Sequence, residues 1–243
     1  MAPQAVLLGF VQGLTEFLPI SSSGHLVFFQ EIFDLAYGAS FDIALHTGTL
    51  IATIVFFFPK LIRVDRTYLR NIIVGSIPAG LVGLSLLPKI ESLFDSLILV
   101  SVGFITTTTL LFLTKNAKGN TSLGLRSSVI IGLAQAVAII PGISRSGSTI
   151  ATALLLGITQ KEAFAFSFIL SIPAVLGASL LNYSSLPPLG LLSGNYLLGM
   201  SSAAISGYIS LKLLERVMQK SSLHKFALYT GPLALLTLYL SLR

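Results

Sequence analysis

The chain is 243 residues long, 53% hydrophobic and only 10% charged, with a mean hydropathy of +0.89. Soluble domains carry about 25% charged residues, so this composition excludes an ordinary soluble domain and predicts a polytopic membrane protein. The absence of cysteine excludes disulfides, thiolate chemistry and sulfur-ligated zinc. The formal net charge of +6 lies in short loops between apolar stretches, so we do not expect a nucleic-acid partner.

The first apolar stretch, 2–18, runs into Pro19 and a serine-rich turn before a second apolar stretch at 24–33. A full crossing needs about 20 residues, so 24–33 is too short to cross alone. We expect the two stretches to form a re-entrant hairpin whose irregular turn is buried in protein or faces a cavity. The first stretch lacks a basic n-region and carries Gln12 and Glu16, so we expect no cleavable signal.

A second hairpin of the same kind is predicted from stretches 126–141 and 147–157, which meet at a proline. Three full crossings follow each hairpin, and their predicted ranges are 40–59, 67–88, 95–114, 160–182, 191–213 and 223–242. An odd number of crossings in each half forces the halves into opposite orientations. The predicted fold class is therefore an all-α polytopic membrane protein with six crossings and two re-entrant hairpins. It forms one integral membrane domain, 1–243, of two inverted repeats, about 1–118 and 119–243.

The basic residues give this layout an orientation. Twelve of the 15 lysines and arginines fall on one side, namely Lys60, Arg63, Arg66, Arg70, Lys115, Lys118, Arg126, Lys161, Lys212, Arg216, Lys220 and Lys225. The other side holds Lys89 and Arg243, and Arg145 lies inside an apolar stretch. The positive-inside rule makes the basic side cytoplasmic, so we expect both termini and the mouth of the first hairpin to face outward.

Each hairpin turns at a proline followed by a serine-rich tetrapeptide, and these tetrapeptides are Ser21-Ser22-Ser23-Gly24 and Ser144-Arg145-Ser146-Gly147. The backbone N–H groups and dipole of a helix start bind anions, and glycine lets backbone approach closely. Plain N-capping by serine is the structural alternative. Two such turns, one carrying an arginine whose fork suits phosphate oxygens, favour phosphate binding.

Ionisable groups flank the first turn. Gln12 and Glu16 are four apart and share one helix face. A carboxylate in an apolar helix is costly unless it is functional or paired, and Arg145 is a candidate partner. A pyrophosphate would repel an ionised Glu16, so the acid is either protonated or bridged to the phosphates by a divalent cation, Mg²⁺ or Ca²⁺. We favour the cation.

Three histidines remain to be interpreted. His25 lies three residues after Ser22, within reach on a helix, so the two form a candidate nucleophile and base. His46, together with Asp42, lies at the start of a crossing and is a weaker candidate for lining the cavity. His224 lies in a cytoplasmic loop, where no role is expected.

Residues 13–25, Gly-Leu-Thr-Glu-Phe-Leu-Pro-Ile-Ser-Ser-Ser-Gly-His, and residues 141–147, Pro-Gly-Ile-Ser-Arg-Ser-Gly, resemble the two signature motifs of the undecaprenyl-pyrophosphate phosphatase family, the bacitracin-resistance proteins. The resemblance covers nearly the whole chain. It implies a membrane phosphatase that converts the C55 lipid pyrophosphate to the monophosphate, recycling this carrier for peptidoglycan synthesis. It also implies interlocked inverted repeats and a site open to the periplasmic side of the cell membrane.

By motif position, the resemblance makes Glu16 the essential acid linked to the divalent metal, with Gln12 beside it. It makes Ser22 and His25 the catalytic serine and histidine, and Arg145 the phosphate-binding arginine. Further phosphate contacts are expected from Ser21, Ser23, Gly24, Ser144, Ser146 and Gly147. Two departures stand out: Gln12 and Ala165 each occupy a position where many members have glutamate.

A transporter or flippase for a lipid phosphate or organic anion is the alternative function, because inverted repeats with half-helices pointing at an anion also suit transport. An anion carrier needs the two helix starts that bind the anion and Arg145, but it needs no hydroxyl or imidazole. Glu16, Ser22 and His25 therefore favour the enzyme. The residues leave open whether Ser22, His25 or an activated water attacks phosphorus.

Overall fold

The computed structural model describes residues 2–26, 39–94, 96–117, 119–181 and 194–242. Within these ranges the chain is helical, and no strand longer than an isolated bridge is formed. The α-helices are α1 (Ala2–Phe17), α2 (from Ser22, described as far as Leu26), α3 (Ala39–Leu61), α4 (Arg66–Phe94), α5 (Leu97–Leu113), α6 (Leu125–Val137), α7 (Arg145–Leu155), α8 (Gln160–Leu181), α9 (Gly194–Gln219) and α10 (Ala227–Ser241). Short 3₁₀ turns occupy Thr114–Asn116 and Leu223–Phe226.

Four of the described helices are long and apolar enough to cross a membrane, namely Ser40–Leu61, Leu97–Asn116, Gln160–Leu181 and Gly194–Gln219. They coincide with four of the six predicted crossings and confirm an all-helical, multi-pass membrane protein. The predicted crossing 67–88 falls within α4, a helix of 29 residues. The crossing 223–242 falls on a 3₁₀ turn followed by α10, which has 15 residues. The number six stays a prediction.

Some predicted features lie outside the described residues. They are residues 27–33 of the first hairpin, residues 95, 182 and 191–193 at the edges of three predicted crossings, Lys118 and Arg243.

The basic loops gather at one end of the molecule. Nζ of Lys60, at the end of α3, lies 3.2 Å from Oε2 of Glu162, at the start of α8. Gln160 Nε2 donates to Ser221 Oγ, which follows α9. These contacts place the loops after α3, α7 and α9 side by side, as the positive-inside layout requires.

The second hairpin enters and leaves at this same end. The backbone N–H groups of Asn120 and Thr121, which precede α6, donate to the carbonyl of Gly157, which follows α7, at 2.9 and 2.8 Å. Helix α6 therefore begins, and helix α7 ends, at the same end of the molecule, and re-entry into a membrane stays a prediction. Gly157 has φ +82°, a left-handed value that favours glycine and ends α7.

The two hairpin turns meet inside the protein. Ser146 Oγ donates to the carbonyl of Leu18 at 3.4 Å. A Cβ at Gly147 would lie 3.3 Å from Cβ of Pro19, so the two turns approach each other closely at this glycine. Close helix packing holds the first turn in place: a Cβ at Gly13 on α1 would clash with α9.

Candidate active site

Glu16, at the end of α1, is the centre of the site. Its side chain is only 8% exposed, and its Oε1 forms an ion pair with Nη2 of Arg145 from the opposite turn. Its other oxygen, Oε2, accepts a hydrogen bond from Ser22 Oγ at 2.5 Å and one from Gln12 Nε2 at 3.2 Å. One carboxylate therefore holds a hydroxyl, an amide and a guanidinium. The ion pair proposed as an alternative role for Glu16 is present.

The backbone of the first turn brings Ser22 back over Glu16. α1 ends at Phe17, and Ser21 has φ 67°, in the left-handed region that non-glycine residues rarely occupy. This conformation reverses the chain within four residues, so α2 starts beside the end of α1. Backbone strain of this kind clusters at functional sites, where surrounding contacts maintain it.

The serines that open the turns cap their helices. Ser21 Oγ accepts from the backbone N–H of Gly24 at 3.3 Å, and Ser144 Oγ accepts from the N–H of Gly147 at 3.0 Å. Ser144 is also fixed by α5, because its N–H donates to Oγ1 of Thr107 at 2.9 Å. The N-capping alternative is therefore present in both turns.

The third residue of each tetrapeptide is also a serine, and it makes a matching contact in both turns. Ser23 Oγ lies 3.3 Å from Ser21 Oγ, and Ser146 Oγ lies 3.3 Å from Ser144 Oγ. The two turns thus share these serine contacts, although Ser21 has φ 67° and Ser144 has φ −70°. Phosphate binding by these serines and by the two glycines stays a prediction.

His25 is not bonded to Ser22 within the described part of the chain. Its Nδ1 donates to the carbonyl of Ser21 at 2.7 Å, so the neutral ring leaves Nε2 as an acceptor. Nε2 lies 2.8 Å from the hydroxyl of Tyr229 on α10, and the two rings are stacked. The hydrogen bond expected between Ser22 and His25 is absent here, because both nitrogens have other partners and Ser22 donates to Glu16.

His46 belongs to the site. Its Nδ1 lies 3.1 Å from Gln12 Nε2 and 3.8 Å from Glu16 Oε2. Asp42 lies one turn earlier on α3, with a buried Oδ1 that has no hydrogen-bond partner among the described residues. His224 lies in the 3₁₀ turn Leu223–Phe226 before α10.

Two buried polar atoms beside Glu16 lack partners within the described residues: Nη1 of Arg145 and Oε1 of Gln12. An unpaired guanidinium N–H suits a phosphate oxygen. An unpaired amide oxygen next to a carboxylate suits a hard cation, which also takes phosphate oxygens as ligands. The described residues contain no group of three His, Asp or Glu side chains that would hold a metal alone. Glu16 and Gln12 as ligands of a divalent cation, together with substrate phosphate oxygens, stay a prediction.

Sequence reasoning missed two residues that shape the site, Tyr229 and Thr107. Both come from helices far from the motifs along the chain, and a lone tyrosine or threonine in an apolar helix gives no signal of its own. His46 was weighed as a weaker candidate, and its spacing from Asp42 was the available hint.

The sequence matches the family described as bacitracin resistance protein BacA over residues 5–236. The chain belongs to the BacA family. Among its relatives, a protein from Korarchaeum cryptofilum is 41% identical over 93% of this chain and 94% of the relative. A protein from Methanosphaera stadtmanae is 36% identical over 98% of this chain and 97% of the relative. A protein from Thermomicrobium roseum is 39% identical over 97% of this chain and 96% of the relative. All three carry the name undecaprenyl-diphosphatase.

Proposed function

We propose that this BacA family member hydrolyses undecaprenyl diphosphate to undecaprenyl phosphate and inorganic phosphate. The observation that carries the proposal is the hydrogen bond from Ser22 Oγ to Glu16 Oε2, on a carboxylate whose other oxygen pairs with Arg145. A hydroxyl, a base and a phosphate-binding cation thus converge on one buried group. Relatives that match nearly the whole chain carry the name undecaprenyl-diphosphatase, which supports the same activity here.

In this mechanism Ser22 attacks the terminal phosphorus. Its Oγ forms a bond to phosphorus while its proton passes to Glu16 Oε2, and the bond from phosphorus to the bridging oxygen breaks. The lipid monophosphate leaves with that oxygen. Water then cleaves the phosphoserine, Oγ recovers the proton from Glu16, and the hydrogens of the water depart with inorganic phosphate.

Arg145 provides the charge for this reaction. Nη2 stays on Glu16, and the unpaired Nη1 donates to an oxygen of the terminal phosphate. Preorganised donors of this kind stabilise the charge that develops in the transition state without reorganisation. We expect the backbone N–H groups at the two helix starts to contribute further donors to the phosphates.

A divalent cation, Mg²⁺ or Ca²⁺, is proposed as the cofactor. Glu16 and the free Oε1 of Gln12 would hold it, and bound there it would neutralise charge on the diphosphate. We expect a chelator to abolish phosphate release and added cation to restore it. Full activity in the chelator would contradict the proposal.

We also propose a finer topology of six crossings, two re-entrant hairpins and two inverted repeats. The proposed location is the cell membrane of a bacterium, which is the inner membrane where there are two. The gathered basic loops support a cytoplasmic location for that end of the molecule. Both termini, and the mouth of the site, then face outward. A reporter that fluoresces only in the cytoplasm should stay dark when fused after the C-terminus, and a bright fusion would refute this orientation.

The deciding experiment is phosphate release from a C55 prenyl diphosphate by the purified full chain in detergent with Mg²⁺ or Ca²⁺. Release that Glu16→Gln abolishes would support the diphosphatase. Binding and vesicle transport of the lipid without any release would instead favour the carrier. As a diphosphatase, the protein recycles the lipid carrier for cell-wall synthesis and confers bacitracin resistance.

A further inference from the structure

We infer that His46 is a substrate-binding residue of this reaction and donates a hydrogen bond from Nε2 to an oxygen of the lipid diphosphate. The inference rests on the proposed function, since it names a further contact of the same site. It is carried by the position of His46 beside Gln12 and Glu16, although α3 contributes to neither signature motif.

Gln12 determines which nitrogen of His46 carries the proton. The amide of Gln12 must present its NH₂ group to Glu16, because an amide oxygen at 3.2 Å from Oε2 would repel an ionised carboxylate. The pairing of Glu16 with Arg145 keeps that carboxylate ionised. The second N–H of the same amide then points to Nδ1 of His46 at 3.1 Å. Nδ1 is therefore an acceptor, and the proton of the neutral ring lies on Nε2.

Nε2 is left free to donate. No hydrogen bond to Nε2 of His46 is formed within the described part of the chain, and Asp42 does not bond to the ring. The side chain is 37% exposed, whereas that of Glu16 is 8% exposed. Because Nδ1 is turned towards Gln12, we expect the exposed part of the ring to include the Nε2 edge. A fixed N–H donor on the open side of Glu16 suits an incoming phosphate oxygen.

Two isosteric substitutions separate the two nitrogens. A glutamine at this position places its amide group near the location of Nε2, whereas an asparagine places its amide near Nδ1. We would measure kcat and KM with a C55 prenyl diphosphate for His46→Gln, His46→Asn and His46→Ala. Binding of a methylene-bridged prenyl diphosphate, which cannot be hydrolysed, provides a readout that does not depend on turnover.

We expect His46→Ala and His46→Asn to weaken analogue binding and lower kcat/KM by about 10- to 100-fold, the effect of losing one hydrogen bond to a charged group. His46→Gln should stay within about threefold of the wild type, because it restores a donor at the Nε2 position. Thermal unfolding of each variant in detergent checks that the fold is retained.

Three outcomes would overturn the inference. They are normal binding by His46→Ala, better function of His46→Asn than of His46→Gln, or equal losses in all three. The second outcome would mean that His46 serves only to hold Gln12. Failure of the proposed function looks different: the wild type would bind the analogue but release no phosphate, and the binding series would still test His46.

Discussion

The two hairpin turns have matching serine contacts but differ in chemistry and in the backbone of the capping residue, with φ 67° at Ser21 and φ −70° at Ser144. Each places a capping serine before a helix, with a second serine hydroxyl 3.3 Å away. The first turn carries the hydroxyl of Ser22 and the imidazole of His25, whereas the second carries only the guanidinium of Arg145 at the position matching Ser22. A repeated scaffold thus supplies two helix starts, and the chemistry is divided between them.

The helices before the turns differ in the same way. Gln12 has the matching residue Gln135 on α6, but Nε2 and Oε1 of Gln135 are both buried without partners among the described residues. Ile139 stands where Glu16 would be matched, so the second glutamine has no carboxylate beside it. The comparison teaches that the helix before the turn, as well as the turn, distinguishes the first hairpin, because only that helix carries an acid.

The largest expected effect follows from removing that acid. Glu16→Gln removes the proton acceptor of Ser22 and the partner of Arg145, so kcat should fall by about 10³-fold or more. Glu162→Gln is the matched control, since Glu162 is also ion-paired but lies among the basic loops. The kcat of this variant should stay within about twofold of the wild-type value. A nearly normal rate for Glu16→Gln would remove the acid from the mechanism.

The next prediction tests which group assists Ser22. Ser22→Ala should lower kcat by about 10²- to 10³-fold. Because a hydrogen bond joins Ser22 to Glu16, the double variant Ser22→Ala with Glu16→Gln should be little worse than Glu16→Gln alone.

The matching double variant combines Ser22→Ala with His25→Ala. The structure shows no bond between these two side chains, so their losses in kcat should multiply. The opposite result would make His25 the base. In that result the losses in kcat would multiply for the double variant with Glu16→Gln, and would not multiply for the double variant with His25→Ala.

A smaller effect is expected in the second turn. Arg145→Lys keeps a positive charge but loses the fork that reaches both Glu16 and phosphate, so kcat should fall by about 10²-fold while some substrate binding remains. Arg126→Lys, at the exposed start of α6, is the control and should change neither kcat nor substrate binding. An unchanged kcat for Arg145→Lys would show that the charge alone suffices.

The smallest effect is expected at Tyr229, which orients His25 from α10. Tyr229→Phe removes the hydroxyl from Nε2 but keeps the stacked ring, so kcat should fall by about three- to tenfold with KM nearly unchanged. Tyr208→Phe is the control, because the ring of Tyr208 lies against Lys212 and makes no contact with His25. A wild-type kcat for Tyr229→Phe would mean that His25 needs no such partner.

Short-range predictions at the site succeeded where one helix determines the geometry. The spacing of Gln12 and Glu16 placed them on one face, and they are hydrogen-bonded. The same reasoning failed for Ser22 and His25, although their spacing also suits a helix. The side chain of Ser22 instead bonds to Glu16. The ring of His25 bonds to the carbonyl of Ser21 and to the hydroxyl of Tyr229.

The sequence by itself determined the membrane class, the helical composition, the paired turns and the motif residues, because these depend on hydrophobicity and on local backbone preferences. Only the tertiary structure decided that Arg145 pairs with Glu16, that His46 joins Gln12, and that Tyr229 holds His25. Those contacts join segments of different helices, and their partners follow from how the helices pack. Local spacing carries no information about that packing.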